Sequence, residues 1–238
     1  MKRLTLLFIL FASLLVGCNG QEIPECGDTV FNTPHITIAT AFWIETDAVK
    51  QQMLNQESCQ FENSTYTVGK IGEQQVLLFE TGVGSEKAIA STNRIVSNFE
   101  IEIIIFSGIA GGIEDSAIGT TFVPYKWFDL ETGESVFVNE SLLSLVTREQ
   151  ITGITSPEFV SDPEIVEFIR SNFQAIVVDM ETYHVAKIAS ENNIPFIAFR
   201  SVSDHADGDK KRESYQQAAN ASAVQVIDFI WLYSNTSP

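Results

Sequence analysis

Positive charge is scarce in this chain: 14 Lys and Arg stand against 31 Asp and Glu, a formal net charge of -17 over 238 residues. An acidic excess of that size repels phosphate backbones and anionic lipid surfaces, which argues against nucleic acid as a partner. It also disfavours highly charged anionic substrates. The one basic cluster beyond residue 3, Lys210-Lys211-Arg212, reads as a solvated turn before the last helix. Histidine is scarcer still, and His35, His184 and His205 have no His or Cys neighbour at metal-ligand spacing, so neither a metal site nor a cofactor is expected. The two glycine-containing loops, at 82–84 and 107–112, have neither the GxGxxG spacing of a dinucleotide site nor the GK[ST] ending of a phosphate loop.

Long apolar runs are missing after residue 16. The single run, 4–16, follows Lys2 and Arg3 and is too short to span a bilayer, which is the form of a secretory signal. It ends in Leu15-Val16-Gly17-Cys18, which resembles a bacterial lipobox. That resemblance implies cleavage before Cys18, lipidation of Cys18 and anchoring to a membrane by acyl chains rather than by a helix. An ordinary signal peptide with an incidental cysteine is the other reading. Asn19 is not the Asp that retains lipoproteins in the inner membrane, so a periplasmic-side location is expected, on the outer membrane where the organism has one. Loss of Lys2 and Arg3 would leave 12 basic against 31 acidic residues, a net charge of -19.

Cysteine is limited to three residues. With Cys18 lipidated in an oxidising compartment, Cys26 and Cys59 are the remaining pair, readable either as a disulfide or as two independent thiols.

The remaining sequence divides into a signal at 1–17, a Gly- and Pro-containing tether at 18–33 and one domain at 34–238. Strand and helix signals alternate through it. Strands are expected at 36–41, 65–71, 76–80, 101–106, 120–125, 151–155, 175–178 and 195–202; helices at 45–55, 85–98, 163–171, 183–192 and 214–233. The run at 101–106 is almost wholly β-branched and apolar, as in a strand buried on both faces. Alternation of this kind predicts an α/β fold: a single domain whose mixed, mostly parallel central sheet carries helices on both faces.

Two acids leave two of those strands. Glu181 follows 175–178 and Asp204 follows 195–202. Ligands of open α/β sheets bind at the carboxyl ends of the strands, so the pair can face one small molecule. Glycines at 107–112 would let backbone approach it closely.

Ser-Gly-Ile-Ala-Gly-Gly at 107–112, Val-Asp-Met-Glu at 178–181 and Arg-Ser-Val-Ser-Asp at 200–204 resemble, in order and spacing, the signatures of the nucleoside phosphorylase superfamily, type I. Within it the likeness is greatest to the methylthioadenosine/S-adenosylhomocysteine nucleosidases, and it covers about residues 35–233. The resemblance implies hydrolysis of a purine nucleoside at its N-glycosidic bond. By the same resemblance Asp204 would protonate the purine, Glu181 would hold the ribose hydroxyls with Met180 under the sugar, and Glu45 would activate water. Phe159 and Val160 would hold the base, Ser203 and Arg200 would support Asp204, and the Ala110-Gly111 backbone would lie beside the nucleoside. Members are commonly dimers, which leaves a homodimer open.

The loop after the first strand, Ala41-Phe42-Trp43-Ile44-Glu45, carries a carboxylate and no Arg. Phosphate needs cations and backbone donors, so water is the expected nucleophile; phosphorolysis and a non-catalytic nucleoside-binding lipoprotein are the alternatives. Pro157 stands where the family would place a carboxylate for the adenine amino group. The segment 127–151 is short, Tyr183 and His184 replace small residues, and Tyr215 is the candidate aromatic over the tail of the substrate.

Overall fold

Eleven strands and seven helices order the chain in a computed structural model that describes residues 24–33, 35–146, 149–208 and 211–236. The signal at 1–17 and Cys18 lie outside the described residues. In chain order the elements are α1 (Asp28–Phe31), β1 (His35–Thr40), α2 (Trp43–Lys50), β2 (Leu54–Phe61), β3 (Ser64–Ile71), β4 (Gln74–Glu80), α3 (Ser85–Asn98) and β5 (Ile101–Gly112). There follow β6 (Thr121–Phe122), β7 (Lys126–Asp129), β8 (Ser135–Phe137), α4 (Glu140–Leu143), β9 (Thr152–Thr155), α5 (Pro163–Phe173), β10 (Ala175–Asp179), α6 (Thr182–Glu191), β11 (Phe196–Asp204) and α7 (Arg212–Thr236).

The sheet runs β2-β3-β4-β1-β5-β10-β9-β7-β8, with β11 and β6 branching from β5. Its inner pairings β4-β1, β1-β5, β5-β11, β10-β9 and β9-β7 are parallel, and the hairpins β2-β3, β3-β4 and β7-β8 are antiparallel. Every residue of β1 and β11 is buried, as expected of strands covered on both faces. Helices α2 and α7 pack on each other and over β5 and β11, while α3 and α6 pack on each other elsewhere. α3 docks through Ala88, Thr92 and Ile95, which recur at helical spacing. This is the single α/β domain with a mixed sheet and flanking helices that the alternation predicts.

Several local expectations change. The helix expected at 45–55 ends at Lys50, and Leu54–Phe61 forms an edge strand instead. Its polar, mostly exposed residues carry no alternation; pairing with β3 makes it a strand. The glycines at 107–112 are not a loop after a strand but its continuation. β5 extends through them because it pairs with β11 as far as Gly111 and with β10 at Gly111 and Gly112. The strand expected at 120–125 shrinks to two residues, and β7, β8 and α4 occupy the short middle segment.

The described part of the expected tether is held to the domain. Cys26 and Cys59 form a disulfide. The Cys26 N–H donates to the Gln60 carbonyl, and the Gln60 N–H donates to the Pro24 carbonyl. Phe31 adds its ring to Phe61 and Phe99, at centroid distances of 5.1 and 4.9 Å.

Candidate active site

A cavity of about 220 Å³ opens where β1, β5, β10 and β11 end. Its lining includes Glu45, Ala110, Gly111, Phe159, Val160, Met180, Glu181, Ser203 and Asp204. Of the residues singled out by sequence for substrate, only Arg200 is not on that wall. Tyr215 lines it too, and so do Val83 and Phe42.

Glu45 sits in the first turn of α2, and its burial is nearly complete. Its Oε2 accepts from the Ala41 N–H at 2.5 Å and its Oε1 from the Ile109 N–H at 2.8 Å. Burial pushes its carboxyl up to about 7, against the pull of the Arg200 guanidinium and these amides.

Glu181 is the residue before α6, and its Oε1 accepts from the Gly84 N–H at 2.8 Å. Gly84 has φ 95°, a conformation that favours glycine, and it begins α3 with its amide turned to the site. Burial, then the charge of Asp179, raise the Glu181 carboxyl to about 8.

Asp204 is the last residue of β11 rather than a residue beyond it. Its Oδ1 accepts from the Ala206 N–H at 3.0 Å and its Oδ2 from the Ser203 hydroxyl at 2.8 Å. The same hydroxyl lies 3.3 Å from the Ala110 carbonyl. By donating there, Ser203 can turn its oxygen to accept from a protonated Asp204, so the site accommodates either state. Tyr215 lines the same cavity, and burial, then the Asp204 charge, raise its phenol above the ordinary value.

Arg200 does not support Asp204. Completely buried, its Nε donates to the Thr182 hydroxyl at 2.9 Å, and its Nη2 lies 2.9 Å from Asp179 Oδ2. Its Nη1 is 3.8 Å from Glu45 Oε1, and the guanidinium stacks 3.8 Å over the Phe106 ring. Neither terminal nitrogen meets hydrogen-bond geometry in full. Strand geometry explains the reassignment, because four residues of extended chain separate Arg200 from Asp204 by about 13 Å. Gly108 makes room for this group: a Cβ there would stand 1.8 Å from Arg200 Nη1.

Asp179 is a wall residue that sequence reasoning passed over. Its oxygens accept from the Thr155 hydroxyl at 2.7 Å and from the Glu181 and Thr182 amides at 3.3 and 3.2 Å. An acid three residues before the start of a helix was the available signal.

Pro157 is exposed and off the wall, whereas its neighbour Glu158 lines the cavity. Tyr183 turns away, its hydroxyl donating to Glu134 at 2.8 Å. Among the cluster at 210–212, Arg212 opens α7 and lies over the Trp43 ring at 5.1 Å; Lys210 is outside the described residues. The described cavity wall thus has five carboxylates, Glu45, Glu158, Asp179, Glu181 and Asp204, and no Lys, Arg or His.

Known proteins share this architecture. The chain is 26% identical over 221 residues to a 5'-methylthioadenosine/S-adenosylhomocysteine nucleosidase of Staphylococcus saprophyticus, covering 81% of this chain and 97% of that one. The nucleosidase of that name from Neisseria meningitidis, solved with methylthio-immucillin-A, superposes with TM-score 0.77 at 21% identity over 83% of this chain and 99% of its own. The Streptococcus pneumoniae MTA/SAH nucleosidase, solved with 8-aminoadenine, superposes with TM-score 0.77 at 22% identity, covering 82% and 98%. The model of the phosphorylase superfamily matches residues 36–152 and 146–231, and the chain belongs to that superfamily.

Proposed function

We propose that this protein hydrolyses the N-glycosidic bond of a purine nucleoside of the methylthioadenosine/S-adenosylhomocysteine kind, releasing free base and sugar. The relatives of that name, at 26% identity and below among those described above, support the reaction class.

One observation carries the choice of water over phosphate. Three backbone donors at the cavity are already taken by the chain's own carboxylates: Ala41 and Ile109 by Glu45, and Gly84 by Glu181. A phosphate dianion would not have those three amides, would meet no wall cation among the described residues, and would face five acids.

In this reading Asp204 gives a proton to the imidazole-ring nitrogen of the departing purine, so the bonding pair leaves on a neutral base. Glu181 holds the ribose hydroxyls with Met180 below the sugar. Glu45 takes a proton from the attacking water, whose oxygen bonds to the anomeric carbon. Phe159 and Val160 hold the base, the Ala110-Gly111 backbone flanks the nucleoside, and Ser203 steadies Asp204. Arg200 acts on Glu45 rather than on Asp204.

Incubating the purified protein with methylthioadenosine, S-adenosylhomocysteine, adenosine and inosine, with and without phosphate, tests the reaction. Free base without phosphate is expected. Strict phosphate dependence would make the protein a phosphorylase, and binding with no release would make it a nucleoside-binding protein. Asp204→Asn is expected to lose about a hundredfold to ten-thousandfold in turnover.

The place of action is part of the same proposal. Cys18 is the lipid-bearing first residue of an exported protein on the periplasmic side of the outer membrane, and the Cys26–Cys59 disulfide supports an oxidising compartment. Replacing Cys18 with Ser should move the protein from the membrane to the soluble fraction; an unchanged distribution would reject the anchor. The family reading also implies a homodimer, which light scattering at micromolar concentration measures directly.

A further inference from the structure

Helix α6 begins beside the cavity with an unusual division of labour. The residue before a helix ordinarily uses its own side chain to accept from the first free amides. Glu181 holds that position and makes no such bond; its carboxylate instead accepts from the Gly84 amide at the start of α3. The amides of Glu181 and Thr182 are accepted by Asp179, and that of Tyr183 by the Thr155 hydroxyl, which itself donates to Asp179. Capping has been moved upstream to the end of β10.

The same carboxylate reaches the other side of the site. Asp179 Oδ2 takes the Thr182 hydroxyl and stands 2.9 Å from Arg200 Nη2, while Arg200 Nη1 remains 3.8 Å from Glu45. One buried guanidinium is therefore shared unequally, with Asp179 in contact and Glu45 at longer range. Phe106 closes the face of the guanidinium, and Gly108 leaves the space in which it lies.

We propose that Asp179 is the positioning residue of this site: by capping α6 in place of Glu181 and by holding Arg200, it frees Glu181 to face the sugar and leaves Glu45 able to accept a proton from water. The roles of Glu45 and Glu181 rest on the hydrolytic reading above; the placement of Asp179 between them does not.

The charged and titratable groups of the cavity and around Asp179 are Glu45 from α2, Glu181 at the start of α6, Arg200 and Asp204 from β11, Tyr215 from α7, and His184 of α6, which feels the charges of Asp179 and Asp129. Removing the Asp179 charge takes a negative neighbour from Glu181 and leaves Arg200 to lean on Glu45. Both glutamates should then ionise at lower pH than their present values of about 8 and about 7.

Asp179→Asn keeps the side chain's size and one acceptor oxygen. Its expected effect is a drop in kcat of about a hundredfold at pH 8, with KM changed far less and the acid limb of the rate profile moved to lower pH. Thr155→Val removes one arm of the cap without touching Arg200, and should lower kcat with the limb in place. Carboxyl carbon resonances of labelled Glu45 and Glu181, followed by NMR through pH 4–10, read the inference whether or not the protein turns over. Lower midpoints for both in folded Asp179→Asn support it. Unchanged midpoints together with unchanged binding of a nucleoside analogue would overturn it. Absence of base release by the unsubstituted protein would instead reject the hydrolytic reading and leave the NMR comparison valid. If Asp179→Asn does not fold, Asp179→Glu serves for the same titration: preserved midpoints support a positioning charge, and lowered ones contradict it.

Discussion

The amide of Gly84, at the start of α3, donates to the Glu181 carboxylate, at the start of α6, across a 2.8 Å bond that joins two loops 97 residues apart. That amide favours the charged carboxylate, yet burial and the nearby Asp179 charge prevail and raise Glu181 to about 8. Glu45, raised to about 7 chiefly by burial, lines the same cavity.

Stability should therefore fall as pH rises. Both glutamates ordinarily ionise near 4.5, so between that pH and about 7 to 8 the folded chain holds protons that the unfolded chain has lost. Their contribution is complete below about 4.5 and disappears as pH climbs through the folded values. His184, lowered by burial, works in the opposite sense below its ordinary 6.5. Urea unfolding should show a lower midpoint at pH 8.5 than at pH 6.5, with the difference reduced in Glu45→Gln and Glu181→Gln. A midpoint that rises over this interval would contradict the burial argument.

Catalysis should have the reverse dependence. Glu45 must be ionised to take a proton from water, so kcat/KM in the free enzyme should fall as pH drops below about 7. Glu45→Gln should lose most turnover at every pH, and the remaining rate should lack that limb. A profile flat from pH 5 to 8 would remove Glu45 from the role of base.

Gly108→Ala tests the packing beneath the site. Its Cβ would stand 1.8 Å from Arg200 Nη1 and 2.7 Å from Glu45 Oε1, and Arg200 is pinned by Thr182 and Asp179. The guanidinium cannot withdraw without abandoning a buried partner. Destabilisation on the order of 1–3 kcal/mol is expected in thermal or urea unfolding, together with loss of activity. An Ala variant as stable and active as the parent would show that Arg200 has freedom the packing denies.

The disulfide acts at a distance from this chemistry. Cys26 and Cys59 are 33 residues apart, and no described residue of the N-terminal arm lines the cavity. Cys26→Ser with Cys59→Ser should cost about 2–4 kcal/mol of stability, while kcat and KM stay near those of the parent at a temperature where both are folded. A large change in KM with unaltered stability would mean that the arm shapes the pocket.

How much of this was legible depends on what kind of signal each element carries. β1, β10 and α3 read clearly because continuous apolar runs and a helical stripe depend on local spacing. The α/β architecture followed from them, as did the meeting of Glu181 and Asp204 at one cavity; Glu45 was added by the family resemblance. The helix expected at 45–55 runs two residues into β2, no element is expected over the rest of that strand, and β8 is missed, because short, polar edge strands are defined by their partners and not by their own pattern. The glycines at 107–112 signalled close approach correctly, but the approaching group at Gly108 is Arg200 from the neighbouring strand. Arg200 illustrates the remaining difficulty. The family resemblance implied Asp204 as its partner, while strand direction delivered it to Asp179 and Glu45, two residues remote in the chain.

The source of the new oxygen in the sugar product decides the central claim. Turnover of methylthioadenosine in oxygen-18 water, with phosphate present, should yield free adenine and a sugar carrying the heavy oxygen at its anomeric carbon from the first turnover. A sugar 1-phosphate containing no oxygen from water would contradict hydrolysis and assign the site to phosphorolysis.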